Sequence, residues 1–162
     1  MALDRGTLVF LVSLAAQAER FDESVGYMTT VVTDFEPILT DDERVLLAIS
    51  FKNILDARRT ASRSMRAMEA TFDDKSVQHA VDYRLKIEAE AIAQCETLVR
   101  LLDTRLISHE PVESPSMIFY LKIRGDNYRY MAELQAGDAR KASAAQALAS
   151  YEKAFALAST TL

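Results

Sequence analysis

The scarcity of helix-breaking residues is the strongest constraint on the fold of this chain. Its 162 residues include four glycines and three prolines, and none of these lies between Pro37 and Pro111 or after Gly137. Glycine and proline are the residues that most disfavour a helix interior. Such long uninterrupted stretches therefore favour long helices. The length is sufficient for one domain with its own core, so the sequence predicts a single all-α domain over residues 1–162.

Turn and cap residues divide the chain into about six helical segments. Thr40 and Glu43 form a capping box, the signature of a helix start, in front of the third segment. In the fourth segment apolar residues recur at helical spacing around Cys95. Short links between long helices favour antiparallel packing of neighbours, so we predict an antiparallel bundle. The predicted segments are 4–20, 22–33, 40–71, 76–107, 117–135 and 138–158.

Composition excludes several classes of function. A net charge of -5 argues against a general nucleic-acid binder, which needs a basic surface. A single cysteine, Cys95, cannot form an internal disulfide and is typical of a reducing compartment. With two histidines besides, no zinc-site spacing can be written. We therefore expect no metal, no cofactor and no nucleic-acid partner.

The first helical segment imitates a secretory signal. Residues 8–16 are apolar and end in the small-x-small triplet Ala16-Gln17-Ala18. However, Asp4 cancels the charge of Arg5, and the apolar run is too short to span a bilayer. We expect a cytoplasmic protein, with the nucleus as a second compartment, and no membrane span.

Catalytic motifs are missing from the sequence. It contains no glycine-rich phosphate loop and no nucleophile elbow. His79 and His109 fall near predicted helix ends without an acid or nucleophile beside them. Cys95 belongs to the apolar stripe of the fourth helix and is expected in the core. The sequence predicts a protein that is not an enzyme.

Two predicted helices each carry a pair of basic residues. Lys52 and Arg59 are seven residues apart on the third helix, as are Lys122 and Arg129 on the fifth, where Tyr130 follows directly. Residues seven apart on a helix project in nearly the same direction. If these two helices are antiparallel neighbours, the side chains converge. Arginine forks, a lysine and a tyrosine hydroxyl are suitable ligands for a phosphate dianion.

Ordinary ion pairs on a solvated helix face would explain the same spacing. Asp56 follows Lys52 by four residues, and Asp126 precedes Arg129 by three. Such pairs are common on helices. From spacing alone, this second interpretation is the more frequent one.

Longer motifs shift that balance, because they resemble signatures of the 14-3-3 family in order and spacing. The motifs are LAAQAERFD at 14–22, DERVLL at 42–47 with FKN at 51–53 and ARR at 57–59, YR at 83–84 with KIE at 86–88, FYLK at 119–122 with GD at 125–126 and YRYMAE at 128–133, and Y at 151 with AF at 154–155. The resemblance implies a non-catalytic dimer of cup-shaped, nine-helix subunits. It also implies recognition of phosphorylated peptides by an arginine cluster.

The resemblance further implies particular site residues. Positions matching the family's phosphopeptide-binding residues are Lys52, Arg59, Arg129, Tyr130 and Lys122. In the family the first two helices of one subunit meet the third and fourth of the other, so residues 1–35 are the expected dimerisation part and helices 40–162 the expected groove. The implied interface residues are Leu14, Ala18, Arg20, Glu23, Ala61, Met65, Tyr83, Lys86 and Glu90. Arg20 with Glu90, and Glu23 with Lys86, are expected to pair across the dimer.

Several departures from the family pattern accompany these matches. About six helices are expected instead of nine, without the last three, which form the opposite wall of the groove. Asp56 stands where the family typically has glycine, so weaker phosphate binding is expected. Ala61 replaces a serine whose phosphorylation favours monomers, and Ser62 replaces a tryptophan. The first helix is unusually apolar at residues 9–12.

Two functions remain open from the sequence. The first is an adaptor that binds phosphoserine or phosphothreonine clients as a homodimer, or as a heterodimer with another family member. The second is a helical scaffold in which phosphopeptide recognition is weakened or lost, for which Asp56 and the missing helices are the motivation.

Overall fold

The computed structural model describes residues 2–161 of the chain. Its six α-helices are α1 (Arg5–Gln17), α2 (Phe21–Asp34), α3 (Asp41–Met68), α4 (Asp74–Leu101), α5 (Pro115–Leu134) and α6 (Gly137–Thr161). A 3-10 turn, Glu69–Thr71, follows α3, and a π-helical turn, Leu102–Leu106, with a second 3-10 turn, Ile107–His109, extends α4. No strand occurs among these residues. The all-α prediction is confirmed.

Side-chain caps fix where the helices begin. The Thr40 hydroxyl accepts a hydrogen bond from the Glu43 N–H at 3.2 Å, and the Glu43 carboxylate accepts one from the Thr40 N–H at 2.9 Å. Glu43 also pairs with Arg5 at 2.6 Å, so the predicted capping box ties α1 to α3. Ser114 caps α5 two residues earlier than predicted, because Pro115 can occupy the first helical position, where an N–H is not needed.

Consecutive helices are antiparallel neighbours. Ser62 of α3 donates to Glu88 of α4 at 2.7 Å, while Arg84, one turn earlier in α4, pairs with Glu69 just after α3. In the same way α4 packs on α5, and α5 on α6. Long helices joined by short links leave no other arrangement.

The two basic helices, however, run parallel, and our expectation that they are antiparallel is wrong. Val45 near the start of α3 shares a pocket with Pro115 at the start of α5. Arg59, farther along α3, pairs with Glu133 near the end of α5. The reason is that the chain reverses its direction twice between these helices, once between α3 and α4 and again between α4 and α5. The side chains still converge, since Lys52, Lys122 and Arg129 line one pocket between the two helices. The guanidinium carbons of Arg59 and Arg129 both lie close to the Tyr130 ring centroid, at 4.5 and 4.7 Å.

The main core joins α1, α2, α3, α4 and the start of α5. Its fully buried side chains include Val12, Met28, Leu47, Leu102 and Tyr120. A smaller cluster lies beneath the basic residues of α3 and α5 and consists of Leu55, Ala91, Cys95 and Met131. Burial raises the pKa of the Cys95 thiol to about 12, so it is a neutral core residue rather than a nucleophile.

Candidate functional site

A pocket of about 310 Å³ opens between α3 and α5. Four of the five residues predicted to bind phosphopeptide line it: Lys52, Lys122, Arg129 and Tyr130. The rest of its lining is largely apolar and includes Phe51, Leu55, Leu98, Phe119 and Ile123. An anion bound at the basic end would therefore lie beside apolar surface.

Arg59, the fifth predicted residue, joins the others through Tyr130. The guanidinium carbon of Arg59 lies 4.5 Å from the centroid of the Tyr130 ring, and that of Arg129 lies 4.7 Å from the same centroid. A tyrosine ring attracts cations at such distances. The ring therefore holds both arginines close together without neutralising either.

The two arginines differ in their exposure. The side chain of Arg59 is 15% exposed, while that of Arg129 is 56% exposed. Arg59 Nε is buried without an acceptor among residues 2–161. An unsatisfied buried donor of this kind requires an explanation, because nearly all such groups are paired in folded proteins.

Carboxylates pair with the cations of α3. Asp56 accepts from Lys52 Nζ at 2.6 Å and lies 3.6 Å from Arg59 Nη1. Glu133 of α5 accepts from Arg59 Nη2 at 2.8 Å and from Arg63 at 3.1 Å. The hydrogen bond that Lys52 donates to Asp56 raises the pKa of Lys52, so this lysine stays charged. The cluster is thus held in place by its own acids before any ligand arrives.

Asp126 plays the same role on α5. Its Oδ2 accepts from Lys122 Nζ at 2.9 Å, and its Oδ1 accepts from the Tyr151 hydroxyl at 2.6 Å and lies 4.0 Å from Arg129 Nη2. Arg129 Nε in turn donates to the Tyr151 hydroxyl at 3.4 Å. A side chain of α6 therefore takes part in arranging the cations of α5.

Sequence reasoning missed Tyr151, Glu133 and Arg63 as parts of this arrangement, and took Asp126 only for an ion-pair partner. Gly125 is the sequence feature that could have indicated a close contact with the side chain of Tyr151. A Cβ at Gly125 would lie 2.6 Å from Cε1 of the Tyr151 ring, closer than real Cβ contacts. Glycine inside a helix often marks such a close approach.

The nine predicted dimer residues lie on two surfaces of the single chain. Leu14, Ala18, Arg20 and Glu23 surround the turn between α1 and α2, and all four are exposed. On α4, Tyr83, Lys86 and Glu90 are exposed, and on α3 Ala61 and Met65 are half-buried. All nine are accessible to a second chain.

Within one chain three charged members of this set, Arg20, Glu23 and Glu90, have local partners. Arg20 pairs with Glu23, and Glu90 accepts from Arg58 at 3.3 Å. Arg58 lies 3.4 Å from Asp22 as well. The expected pairs across a dimer stay predictions, and forming them would require these side chains to exchange partners.

Within residues 2–161, no group of three or more histidine, cysteine or acidic side chains has an arrangement that could hold a metal ion. Among the helices described, none combines the length and the apolar character that crossing a bilayer requires.

The fold and the pocket between α3 and α5 define an all-α protein in which two parallel helices present lysines, arginines and a tyrosine around a partly apolar cavity. A family model described as 14-3-3 protein matches residues 11–162. The chain belongs to the 14-3-3 family, as its motifs predict.

Its relatives come from plants and animals. The chain is 37% identical to the 14-3-3-like protein G-BOX factor 14 lambda of Arabidopsis thaliana, an alignment that covers 99% of this chain and 66% of the relative. It is 39% identical to a 14-3-3-like protein of Helianthus annuus, over 95% of this chain and 61% of the relative. Identity to 14-3-3 protein theta of Gallus gallus is 38%, over 94% of this chain and 62% of the relative. The chain thus spans less than two thirds of the length of these relatives.

Proposed function

We propose that this protein is an adaptor of the cytoplasm that binds phosphoserine or phosphothreonine segments of client proteins as a dimer. Family membership supports this, since 14-3-3 proteins are phosphopeptide-binding adaptors rather than enzymes. One observation carries the proposal. Arg59 and Arg129 both contact the ring of Tyr130, and Lys52 and Lys122 line the adjoining pocket.

A phosphate dianion fits the chemistry of this cluster. Its oxygens accept hydrogen bonds from the two guanidinium groups, from the Lys52 ammonium and from the Tyr130 hydroxyl. Each charge-assisted bond of this kind contributes about 1.5–3 kcal/mol. The client chain beyond the phosphate then lies along the apolar lining of the pocket. No bond is made or broken, so the effect on the client is steric and positional.

Dimerisation would bring two such pockets together. Leu14 on α1 is 48% exposed and Tyr83 on α4 is 58% exposed, which leaves apolar surface for a second chain on both expected sides of the interface. A client phosphorylated at two places would then gain from the effective concentration of the second site. The partner is another copy of this chain or another family member.

A scaffold with weakened recognition is the second candidate, and Asp56 favours it. Its carboxylate contacts both Lys52 and Arg59, the cations that α3 would offer to a phosphate. Two unit charges 4 Å apart interact by about 4 kcal/mol at an effective dielectric constant of 20. Repulsion between Asp56 and a bound phosphate is therefore comparable to one of the hydrogen bonds it would disturb.

Calorimetric titration with a phosphoserine peptide and its unphosphorylated twin separates the two candidates. The adaptor is expected to bind the phosphorylated peptide more tightly. In Arg129→Glu that affinity should fall about 10- to 150-fold, as expected for the loss of one charge-assisted bond. Arg100→Glu makes the same charge change on the exposed outer face of α4 and should leave the affinity unchanged. Equal binding of the two peptides by the unmutated protein would support the scaffold instead.

A further inference from the structure

Tyr151 reaches the phosphate cluster from α6, a helix that contributes none of the predicted binding residues. Its ring rests directly on the backbone of α5 at Gly125, where even a Cβ would approach within 2.6 Å of Cε1 and 2.8 Å of Cδ1. The ring is half-buried there. This close seat fixes the position of the hydroxyl relative to α5, because a packed aromatic ring has little rotamer freedom.

The hydroxyl makes two hydrogen bonds in a definite direction. It donates its proton to Asp126 Oδ1 at 2.6 Å, and its oxygen accepts from Arg129 Nε at 3.4 Å. Burial, and then the hydrogen bond to Asp126, raise the pKa of Tyr151, so the group remains a neutral hydroxyl at physiological pH. It therefore links a carboxylate to a guanidinium without adding charge.

Asp126 Oδ1 is the atom on which this arrangement depends. Arg129 Nη2 lies 4.0 Å from that same oxygen, at the limit of an ion pair. Because Oδ1 already accepts the tyrosine proton, it is a weaker acceptor for the outer nitrogens of Arg129. Arg129 also lies over the Tyr130 ring and lines the pocket.

We propose that Tyr151 is a positioning residue of the phosphate site, which holds Arg129 by Nε and keeps Asp126 from capturing its outer nitrogens. This inference rests on the proposed function, since it assigns Arg129 to a phosphate. Tyr151 itself does not touch the ligand. The side chain of Arg129 is more than half exposed. Without a fixed partner such a side chain samples many rotamers, and Tyr151 contributes by ordering it.

Tyr151→Phe tests the proposal because it keeps the ring on Gly125 and removes only the hydroxyl. Phosphopeptide affinity is expected to fall about two- to tenfold, the usual cost of ordering one flexible side chain on binding. Tyr128→Phe is the matched control, since that ring lies on α5 against Arg124, 4.9 Å from its guanidinium carbon. It should leave the affinity unchanged.

A double-mutant cycle separates positioning from packing. Arg129→Met removes both the Nε–H donor and the charge that Asp126 could capture, so in that variant the additional change Tyr151→Phe should have almost no further effect. A loss in the double variant as large as in Tyr151→Phe alone would show that the hydroxyl acts through the packing of α6, and would overturn the proposal.

A second measurement needs no ligand. In the free protein, nitrogen-15 relaxation of the Arg129 Nε–H group should report a more ordered side chain than Arg140, an exposed arginine of α6. Tyr151→Phe removes the acceptor of this N–H and should therefore change its signal, whereas Tyr128→Phe should preserve it. An Arg129 signal that is unchanged by Tyr151→Phe would overturn the inference. If the protein instead fails to distinguish the phosphorylated peptide, the proposed function fails while this measurement still decides the role of Tyr151.

Discussion

Asp56 sets the charge that the groove presents to a ligand. Its side chain is 42% exposed and lies between Lys52 and Arg59, one turn from each along α3. In the absence of ligand it orients both cations. In the proposed phosphate complex the same carboxylate would be a third negative charge at close range, so we expect it to weaken the site.

We expect Asp56→Asn to bind phosphopeptide about five- to thirtyfold more tightly, a gain of about 1–2 kcal/mol. The value is smaller than the unscreened repulsion because the side chain is partly exposed to solvent. Calorimetric titration measures it. Asp82→Asn removes a carboxylate from the exposed side of α4, where Asp82 accepts from Gln78, and should have no effect. If Asp56→Asn binds no more tightly, the carboxylate does not weaken the site.

Glu88 is a buried carboxylate with three donors. Ser62, Arg66 and Arg84 donate to its Oε1 at 2.7, 3.0 and 3.0 Å. Burial by itself raises the pKa of Glu88, but the three hydrogen bonds together outweigh it and leave the pKa below its ordinary value. Because the folded-state pKa is lowered, the stabilisation is present above the unfolded-state pKa and is lost as the pH falls through the folded-state value.

Glu88→Gln should therefore lower the free energy of unfolding near pH 7 by about 1.5–3 kcal/mol, the range for hydrogen bonds to a charged group. As the pH falls below the ordinary glutamate pKa of about 4.3, the difference from the unmutated protein should shrink, since Glu88 becomes protonated as the pH approaches its lowered folded-state pKa. Urea unfolding at a series of pH values tests both statements. Glu96→Gln, on the exposed face of the same helix, is the control. A difference that does not change with pH would exclude this account of Glu88.

At the scale of the elements, α5 and α6 pack so closely at Gly125 that a larger residue would clash there. At Gly125 an alanine Cβ would meet the Tyr151 ring, whereas at Gly26 on the exposed side of α2 it would meet nothing within 4 Å. Intrinsic helix propensity favours alanine at both positions. The two substitutions therefore differ only in their packing.

We expect Gly125→Ala to lower the free energy of unfolding by about 1–3 kcal/mol, the usual effect of overpacking. Gly26→Ala should raise it by up to about 1 kcal/mol. Chemical denaturation of the two variants in parallel provides the measurement. Equal effects of the same sign would show that Tyr151 moves aside freely and that α6 is not held at this point.

Helix positions could be predicted because their signals are local. Thr40 and Glu43 form a capping box within four residues of sequence, and the structure contains it. The direction of α5 relative to α3 has no local signal of its own. It follows from two successive antiparallel links, which make these two helices parallel, and the expectation of antiparallel directions overlooked this. The role of Tyr151 could not be assigned, because its partners Asp126 and Arg129 lie more than twenty residues away and Gly125 indicates only a close approach. The cations of the groove and their helical partners Asp56 and Asp126 were predictable from spacing, but Glu133 and the Tyr151 hydroxyl, which come from distant parts of the chain, were not.

At the scale of the whole molecule, apolar side chains remain exposed on two sets of helices. The first set is α1 and α4, the two expected sides of a dimer, where Phe10 is 63% exposed and Leu85 is 51% exposed. The other is a stripe of α6, where Leu148 is 58% exposed and Phe155 is 75% exposed. Exposed apolar patches of this kind indicate interaction surfaces. Either set could in principle join two copies of the chain, whereas the proposed dimer uses only the first.

Substitutions that introduce one charge into each set of exposed residues show which of them forms the dimer interface. We expect the unmutated protein to sediment as a dimer at micromolar concentration and Leu14→Glu to sediment as a monomer, because a carboxylate buried in an apolar interface is strongly unfavourable. Phe155→Glu and Val112→Glu, which change exposed apolar residues outside the proposed interface, should remain dimeric. The dimer should also persist in 1 M salt, where Debye screening acts within about 3 Å, since apolar burial rather than rim ion pairs holds it. Monomers from Phe155→Glu and dimers from Leu14→Glu would place the association on α6 and remove the paired arrangement of pockets from the proposed function.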